Sequence, residues 1–443
     1  MRILMAAHGF PPTHYAGAER AAERIVKWLV ERGHEVEVFA VENLSSPGFR
    51  VETSVEAGYR IHRLYYNVHA DDAPANVMYD YAPIGQALDS ILRHNPFDLV
   101  HVMSGFLLGG QVILTAKRMG LPVVLTLTEY WFLCRRLNLL RVTGELCSGP
   151  ESDEKCARCL MEDKRRYRTI AEKAPMLANA FWEIAKITPL LDKETEAVKT
   201  RRLTLKDALE AADLVISPSR FLISKFAEFD YDTRRFHFIQ HGLGGSNVIP
   251  SHREASIHDT LRVGYIGQLK YHKGVDLVVE AVAQLLEQGK KVSLDIWGPE
   301  DEEPEYINRL KQRSASFENI RWHGRYTSAQ LADILNGFDV LTVCSRWYEN
   351  NPTVILEAFK HGLPVVGTNL GGMAELIQHE VNGLVFELNQ VSDLRAQLER
   401  LIREPALLQQ LRAGVPPIKT AEQEVAEIFE QYQQLLAKRQ VSS

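Results

Sequence analysis

The chain has 443 residues, too many for one ordinary core at ~100–200 residues per domain, so a single small module is excluded and two or three domains are expected. Hydrophobic residues at 45% and charged residues at 24% exclude a disordered or fibrous chain. With 51 Lys and Arg against 57 Asp and Glu, the net charge of −6 argues against nucleic-acid binding by bulk charge, and no nucleic-acid partner is expected.

The first seven residues carry one positive charge and an apolar run too short for a secretory leader before His8-Gly9 and Pro11-Pro12, so the expected location is the cytoplasm. Apolar runs at 2–7, 35–40, 98–103, 123–128 and 214–217 predict strands, and 18–32 and 106–119 predict helices. The longest apolar region, 99–134, is broken by glycines, Lys117-Arg118 and Pro122, and so lacks the ~18 uninterrupted apolar residues of a membrane span. The pattern restarts with a strand at 262–267, a helix at 275–288 and strands at 293–297, 320–323, 340–343 and 364–368. Alternating strands and helices give an α/β class with two doubly wound domains. Their boundary is expected in the Gly/Pro/Ser-bearing stretch 241–259, giving domains at 1–245 and 258–415, with a last amphipathic helix at 420–438 after Pro416-Pro417.

The most informative stretch runs from Ser345 to Glu375 and contains Glu349, Asn350-Asn351-Pro352-Thr353, Glu357 and Gly371-Gly372. Pro352 suits a first helical turn because its missing N–H costs nothing there. Glu349 then lies in the loop before a helix and Glu357 within it. Between them the free N–H groups around Asn351 to Ile355 favour an anion. One carboxylate can take a ribose diol and the other a sugar's hydroxyls, with a diphosphate between.

Glu349-x7-Glu357 with Pro352 between and Gly371-Gly372-x-x-Glu375 after it resembles glycosyltransferase family 4, retaining enzymes of the GT-B fold. The resemblance extends over nearly the whole chain apart from 160–212. It implies two Rossmann-like domains facing each other across a cleft, a nucleotide-sugar held by the second domain, and an acceptor hydroxyl held by the first. It further implies that Glu357 binds the nucleotide ribose and that Glu349 lies at the donor sugar. Gly267-Gln268-Leu269-x3-Lys273-Gly274 resembles the family's Gly-Arg-Leu…Lys-Gly diphosphate clamp, with Lys273 retained and Gln268 in place of arginine. The missing charge is either supplied by another cation, for which Lys270, His272 and Arg346 are candidates, or leaves catalysis slower than in relatives.

Near the N-terminus, Pro11-Pro12…Ala16-Gly17-Ala18-Glu19 resembles the family's Pro-Pro…Gly-Gly-x-Glu, which brings Gly17 to the donor's phosphates and Glu19 to the site. Thr128-Glu129-Tyr130-Trp131 stands where the family has His-Asp-Tyr-Trp, so Thr128 and Glu129 become sugar or acceptor contacts and no catalytic histidine is assigned. His8, His101 and His241 follow or end strands, where each is either a cleft residue or a structural histidine. The implied activity is hexosyl transfer to a glycan or lipid-linked acceptor in bacterial surface polysaccharide or glycolipid assembly, with no metal required for catalysis. The competing reading is a non-catalytic partner of the same fold, marked by Gln268 and Thr128; an epimerase or phosphorylase fits the Glu-x7-Glu stretch less well.

Four of five cysteines fall together as Cys134-x12-Cys147-x8-Cys156-x2-Cys159, in what reads as a loop at 134–159 with little core. In a reducing compartment four such thiols point to a structural metal. Tetrahedral zinc is the most economical ligand, with an iron–sulfur cluster next and free thiols as the alternative. The helix-rich insertion 160–212 combines Lys164-Arg165-Arg166 and Arg201-Arg202 with Met176, Leu177, Phe181 and Trp182. It reads either as a cap with a solvated charged face or as a surface meeting the inner face of the plasma membrane or a lipid-linked acceptor.

Overall fold

In the computed structural model, which describes residues 1–185, 188–245 and 260–442, the chain divides into two compact units. Unit 1 comprises Met1–Pro218, Leu222–Ile239 and Glu422–Ser443, and unit 2 comprises Ser219–Phe221 and Gln240–Ala421. Most of the expected 241–259 linker, residues 246–259, lies outside the described residues.

Unit 1 begins β1 (Arg2–Ala7), α1 (Gly17–Glu31), β2 (Glu35–Asn43), β3 (Ser45–Glu56), β4 (Tyr59–Asn67), α2 (Ala82–His94), β5 (Leu99–Met103), α3 (Gly109–Arg118) and β6 (Val123–Thr126). It continues with α4 (Asp153–Glu162), α5 (Arg165–Lys173), α6 (Pro175–Ala185), α7 (Asp192–Ala211), β7 (Leu214–Ser217), α8 (Arg220–Ala227) and β8 (Phe236–Phe238). Its eight strands lie in the order β3-β4-β2-β1-β5-β6-β7-β8, all parallel except the edge strand β3. The central strands β1, β5 and β6 are mainly apolar because helices cover both faces of such a sheet. Every residue of β5 is buried.

Three sequence expectations change here. Strand β6 ends at Thr126, so Thr128 and Glu129 stand on the following loop. The cysteine stretch is not all loop: Ser152 caps α4 by accepting from the Lys155 N–H, and α4 carries both Cys156 and Cys159. Strands β3 and β4 and helix α2 fill a span where no element was predicted.

Unit 2 contains β9 (Leu261–Ile266), α9 (Val275–Glu287), β10 (Val292–Trp297), α10 (Pro304–Ser314), β11 (Ile320–Gly324), α11 (Leu331–Asn336) and β12 (Val340–Val343). It is completed by α12 (Thr353–Lys360), β13 (Val365–Thr368), α13 (Gly371–Leu376), β14 (Gly383–Phe386), α14 (Val391–Arg403) and α15 (Pro405–Ala413). The six strands are parallel in the order β11-β10-β9-β12-β13-β14. Helix α9 buries Val275, Val278, Val279 and Val282 against this sheet. Each such side chain contributes about 1.5–3 kcal/mol on burial.

The last helix, α16 (Ala421–Ser442), packs on unit 1. Val425, Ile428 and Tyr432 join the core formed by β1, α1 and β5, and Glu424 pairs with Arg24 at 3.3 Å. The Tyr432 hydroxyl lies 2.5 Å from His101 Nδ1, and the other ring nitrogen of His101 is 2.7 Å from Thr126 Oγ1. His101 is therefore a structural histidine. Complete burial pushes its pKa down to about 3 and keeps it neutral.

Candidate active site

In unit 2 the order of strand addition reverses between β9 and β12. Loops leaving the carboxyl ends of two such strands diverge and open a crevice. The loop after β9 carries Gln268 and Lys273; the loop after β12 carries Ser345 to Pro352 and leads into α12. Gly274 lets the first loop close on the second: its φ is +70°, and a Cβ there would lie 2.0 Å from the Cys344 carbonyl oxygen.

The two loops bring Lys273 and Glu349 together. Lys273 Nζ donates to Glu349 Oε1 at 2.6 Å and lies 4.8 Å from the centre of the Trp347 ring. Ser345 Oγ and Trp347 Nε1 donate to the same oxygen at 2.8 and 2.9 Å. Three donors on one oxygen fix the carboxylate, and Oε2 takes no hydrogen bond among the described residues. The Glu349 carbonyl accepts from Gly372 N–H at 2.8 Å, so the Gly371-Gly372 turn buttresses this loop from behind. Pro352 is the N-cap of α12, one residue earlier than a first-turn position, and the Ile355 N–H already bonds to the Pro352 carbonyl at 3.0 Å. Pro352 has no N–H and that of Ile355 is engaged, so Thr353 and Val354 supply the helix-start donors of α12. Asn351 stands just before them, and Glu357 lies a turn further on, half-buried and close enough to Tyr326 to add to the rise that burial causes in that phenol's pKa.

None of the three cations weighed as a substitute for the missing arginine is free for that task. Arg346 forms a two-pronged pair with Asp276, both contacts at 2.7 Å, and donates to Asn389 and to the Tyr271 carbonyl. Burial first, and Lys273 next, pushes the His272 pKa down to about 4, so its ring is neutral at pH 7. Lys270 pairs with Glu302 at 3.2 Å. Gln268 is exposed, while its carbonyl accepts from the Tyr265 hydroxyl at 3.0 Å. Lys273 is thus the cation beside Glu349.

Unit 1 has its own reversal, between β1 and β5, and a second polar cluster gathers there. His8, one residue past β1, approaches Glu19 on α1 at 3.2 Å. Glu129 Oε1 accepts from Ser104 Oγ at 2.7 Å, and its Oε2 accepts from Thr128 Oγ1. Burial disfavours the charge on His8, but the Glu19 hydrogen bond and the field of Glu129 outweigh it and raise the pKa. Burial dominates at Glu129 and raises its carboxyl; at Glu19 burial also pushes upward, but the hydrogen bond to His8 and the fields of the nearby histidines outweigh it and hold the carboxyl below its ordinary value. His8 Nδ1 and Glu19 Oε2 are buried without a hydrogen-bond partner. Sequence reasoning named Glu19, Thr128 and Glu129 singly and left His8 unassigned; its position at the end of an apolar strand was the available signal. Gly17 opens α1 with nothing within 4 Å of where its Cβ would be.

The four cysteines come together in unit 1 around one cavity. Burial first, then the neighbouring thiols Cys134, Cys147 and Cys159, push the Cys156 thiol up to about 12. Arg201 and Trp182, read from sequence as parts of a surface, are buried. Arg201 lies 4.2 Å from the centre of the Trp131 ring and donates to the Trp131 carbonyl, while Arg202 pairs with Asp153.

Two α/β units with mainly parallel sheets, one with a lysine–glutamate pair and a helix start at its strand reversal, place a cation, a carboxylate and helix-start N–H donors at one crevice. Residues 250–416 match the family model for glycosyl transferases group 1, and residues 16–152 match the glycosyl transferase 4-like domain. The chain belongs to the group 1 glycosyltransferases and has the GT-B fold. It is 24% identical over 396 residues to a D-inositol 3-phosphate glycosyltransferase of Actinosynnema mirum, covering 86% of this chain and 83% of that protein. With a putative glycosyltransferase of Bacillus subtilis, YtcC, it shares 28% identity over 178 residues, 38% of this chain and 43% of that one. Among solved structures, sucrose-phosphate synthase from Thermosynechococcus elongatus superposes with a TM-score of 0.64 at 17% identity over 99% of both chains. Anabaena HepE in complex with UDP and glucose gives 0.60 at 14% identity over 97% of this chain and 99% of that one. At such identities the structural likeness establishes the fold.

Proposed function

We propose that the protein transfers a hexose from a nucleotide-sugar to a hydroxyl of a glycan or lipid-linked acceptor, with retention of configuration, in bacterial cell-surface polysaccharide or glycolipid assembly. The observation that carries this reading is the Lys273–Glu349 pair beside the start of α12. The ammonium group and the Thr353 and Val354 N–H groups suit a diphosphate that gains negative charge as it leaves. Glu349 Oε2 is the oxygen left for the donor sugar, and Glu357 takes the ribose. The bond from the sugar's anomeric carbon to phosphate oxygen breaks as the bond to the acceptor oxygen forms, and the acceptor's proton passes to the leaving phosphate. Neither a protein nucleophile nor a metal is required. In unit 1, His8, Glu19, Thr128 and Glu129 supply the polar contacts to sugar or acceptor.

Screening UDP-, GDP- and ADP-sugars for thermal stabilisation tests the donor site, because a ligand at about 100 times its dissociation constant adds ~2.7 kcal/mol. One base class is expected to raise the melting temperature by several degrees, and Glu357→Ala is expected to abolish most of that rise. A variant that keeps the full shift removes Glu357 from the ribose.

A peripheral membrane contact belongs to the same proposal. No helix among the described residues is long and apolar enough to cross a membrane. Helix α6 nevertheless exposes Met176, Leu177, Phe181 and Ile184, and α5 beside it begins Arg165-Arg166. Apolar side chains next to exposed cations suit an anionic lipid surface. Co-sedimentation with vesicles rich in anionic lipid is expected, and Met176→Asp with Leu177→Asp should reduce it at least several-fold; equal sedimentation of the variant would exclude this surface.

A further inference from the structure

Among the described residues no three His, Cys, Asp or Glu side chains are placed to hold a metal ion, so the four cysteines of unit 1 are not gathered as the expected zinc or iron–sulfur site requires. In unit 2, Arg346 lies on the loop after β12, buried behind the Lys273–Glu349 pair. Four hydrogen bonds leave its side chain. Nη1 donates to the Tyr271 carbonyl and to Asp276 Oδ1, and Nη2 donates to Asp276 Oδ2, each at 2.7 Å, while Nε donates to Asn389 Oδ1 at 2.6 Å. Its backbone N–H donates to the His272 carbonyl at 2.8 Å, and its guanidinium carbon lies 4.3 Å from the centre of the Tyr271 ring.

One residue thus holds two consecutive carbonyls of the short 3-10 turn Tyr271–Lys273, the turn from which the Lys273 side chain leaves. Its neighbours on the same loop hold that side chain: Trp347 places its ring 4.8 Å from Nζ, and Ser345 donates to the carboxylate oxygen that Lys273 meets. Asp276 is fixed in turn. It sits in the first turn of α9, where the helix start favours a carboxylate, and it exchanges two hydrogen bonds with the Tyr306 hydroxyl of α10 at 2.5 and 3.1 Å. Arg346 therefore ties the Lys273 turn to the β12 loop, to α9 and to the segment before α14.

Stability alone does not account for this arrangement, because desolvation of both charges in a buried ion pair offsets much of their attraction. Placement does account for it. A planar guanidinium can meet a carbonyl and both oxygens of a carboxylate at once, which a lysine ammonium cannot, and ångström-scale misplacement of a group facing a leaving phosphate is costly.

We propose that Arg346 is the positioning residue for Lys273, setting the direction from which the ammonium group meets the donor's diphosphate and acting through the turn rather than on the donor. This rests on the assignment of Lys273 to the diphosphate under the proposed function.

Calorimetric affinities of the full chain for UDP, GDP and ADP and for the matching monophosphates UMP, GMP and AMP test it, since the ratio of diphosphate to monophosphate affinity reads the contact made by the terminal phosphate. Lys273→Ala is expected to lower that ratio roughly tenfold, as loss of one charge-assisted hydrogen bond would. Arg346→Met should lower it about fivefold or more with little change in monophosphate affinity. Arg346→Lys keeps a positive charge opposite Asp276 without the fork, and it should lose most of the ratio too. Equal weakening of monophosphate and diphosphate, the mark of a general loosening of unit 2, overturns the proposal, as does a parental ratio in the Arg346 variants. Should Arg346→Met not fold, Arg346→Lys decides. A parent chain with no preference for any diphosphate, or a parental ratio in Lys273→Ala, removes the donor-site reading and this inference with it; dependence on Lys273 without dependence on Arg346 refutes this inference alone.

Discussion

Lys273→Ala is expected to lower kcat/KM for sugar transfer by roughly 10²–10³-fold, the scale seen when one preorganised donor to a developing negative charge is removed. The effect is large because, among the described residues, no neighbouring cation is free to replace the ammonium group. Arg346 is held by Asp276, Lys270 by Glu302, and His272 is neutral. Glu349→Gln should also reduce transfer, since Lys273 Nζ rests 2.6 Å from this carboxylate and loses its anchor with it. Because the two side chains touch, the double variant should fall less than the product of the single effects. Single-turnover rates at saturating donor measure this. Turnover within about threefold of the parent for Lys273→Ala would move the leaving-group cation elsewhere.

What the sequence made legible follows the physics of each element. Strands β1, β5, β9 and β12 are mainly apolar because helices cover both faces, and they can be read directly. Strands β3 and β4 could not be read that way. The edge strand β3 is largely exposed, and β4 buries His62 and Arg63, whose polar groups are met by Glu37 at 2.8 Å and Glu42 at 2.7 Å on the neighbouring strand β2. A pattern search sees polar residues there and no core face, since only the tertiary pairing makes them compatible with burial. Arg201 misled for the same reason: beside Arg202 it looks like a surface pair, yet it lies buried against Trp131.

The site itself divides in the same way. That Glu349 lies before α12 and Glu357 within it was legible because a loop and a helix start are encoded locally, whereas Lys273 was singled out by its resemblance to the family's diphosphate clamp. That Lys273 and Glu349 share a hydrogen bond was not legible, because it depends on two loops brought together by neighbouring strands 76 residues apart in their contact. His8 and Ser104 escaped assignment similarly, since each acquires meaning only through a carboxylate from another segment.

The glycines near these sites divide into two kinds that substitution can separate. At Gly372 a Cβ would lie 1.8 Å from the Asn350 carbonyl oxygen and 2.8 Å from that of Glu349, both backbone atoms that cannot swing aside. Gly372→Ala must push back the loop that presents Glu349. The expected results are a loss of about 1–3 kcal/mol of stability, typical of overpacking, and a fall in turnover of roughly 10²-fold, as ångström-scale misplacement of catalytic groups produces. Gly17 is the contrasting case, with open space where its Cβ would project and an ordinary helix start behind it. Gly17→Ala should leave the melting temperature unchanged or raise it by the equivalent of ~0.4–1 kcal/mol. If Gly17 is glycine because a ligand approaches its backbone, the same variant must lose transfer activity while keeping that stability. Melting curves and transfer rates measured on both variants distinguish a glycine required by the protein's own packing from one required by what the protein binds; full activity in Gly17→Ala would remove that residue from the site.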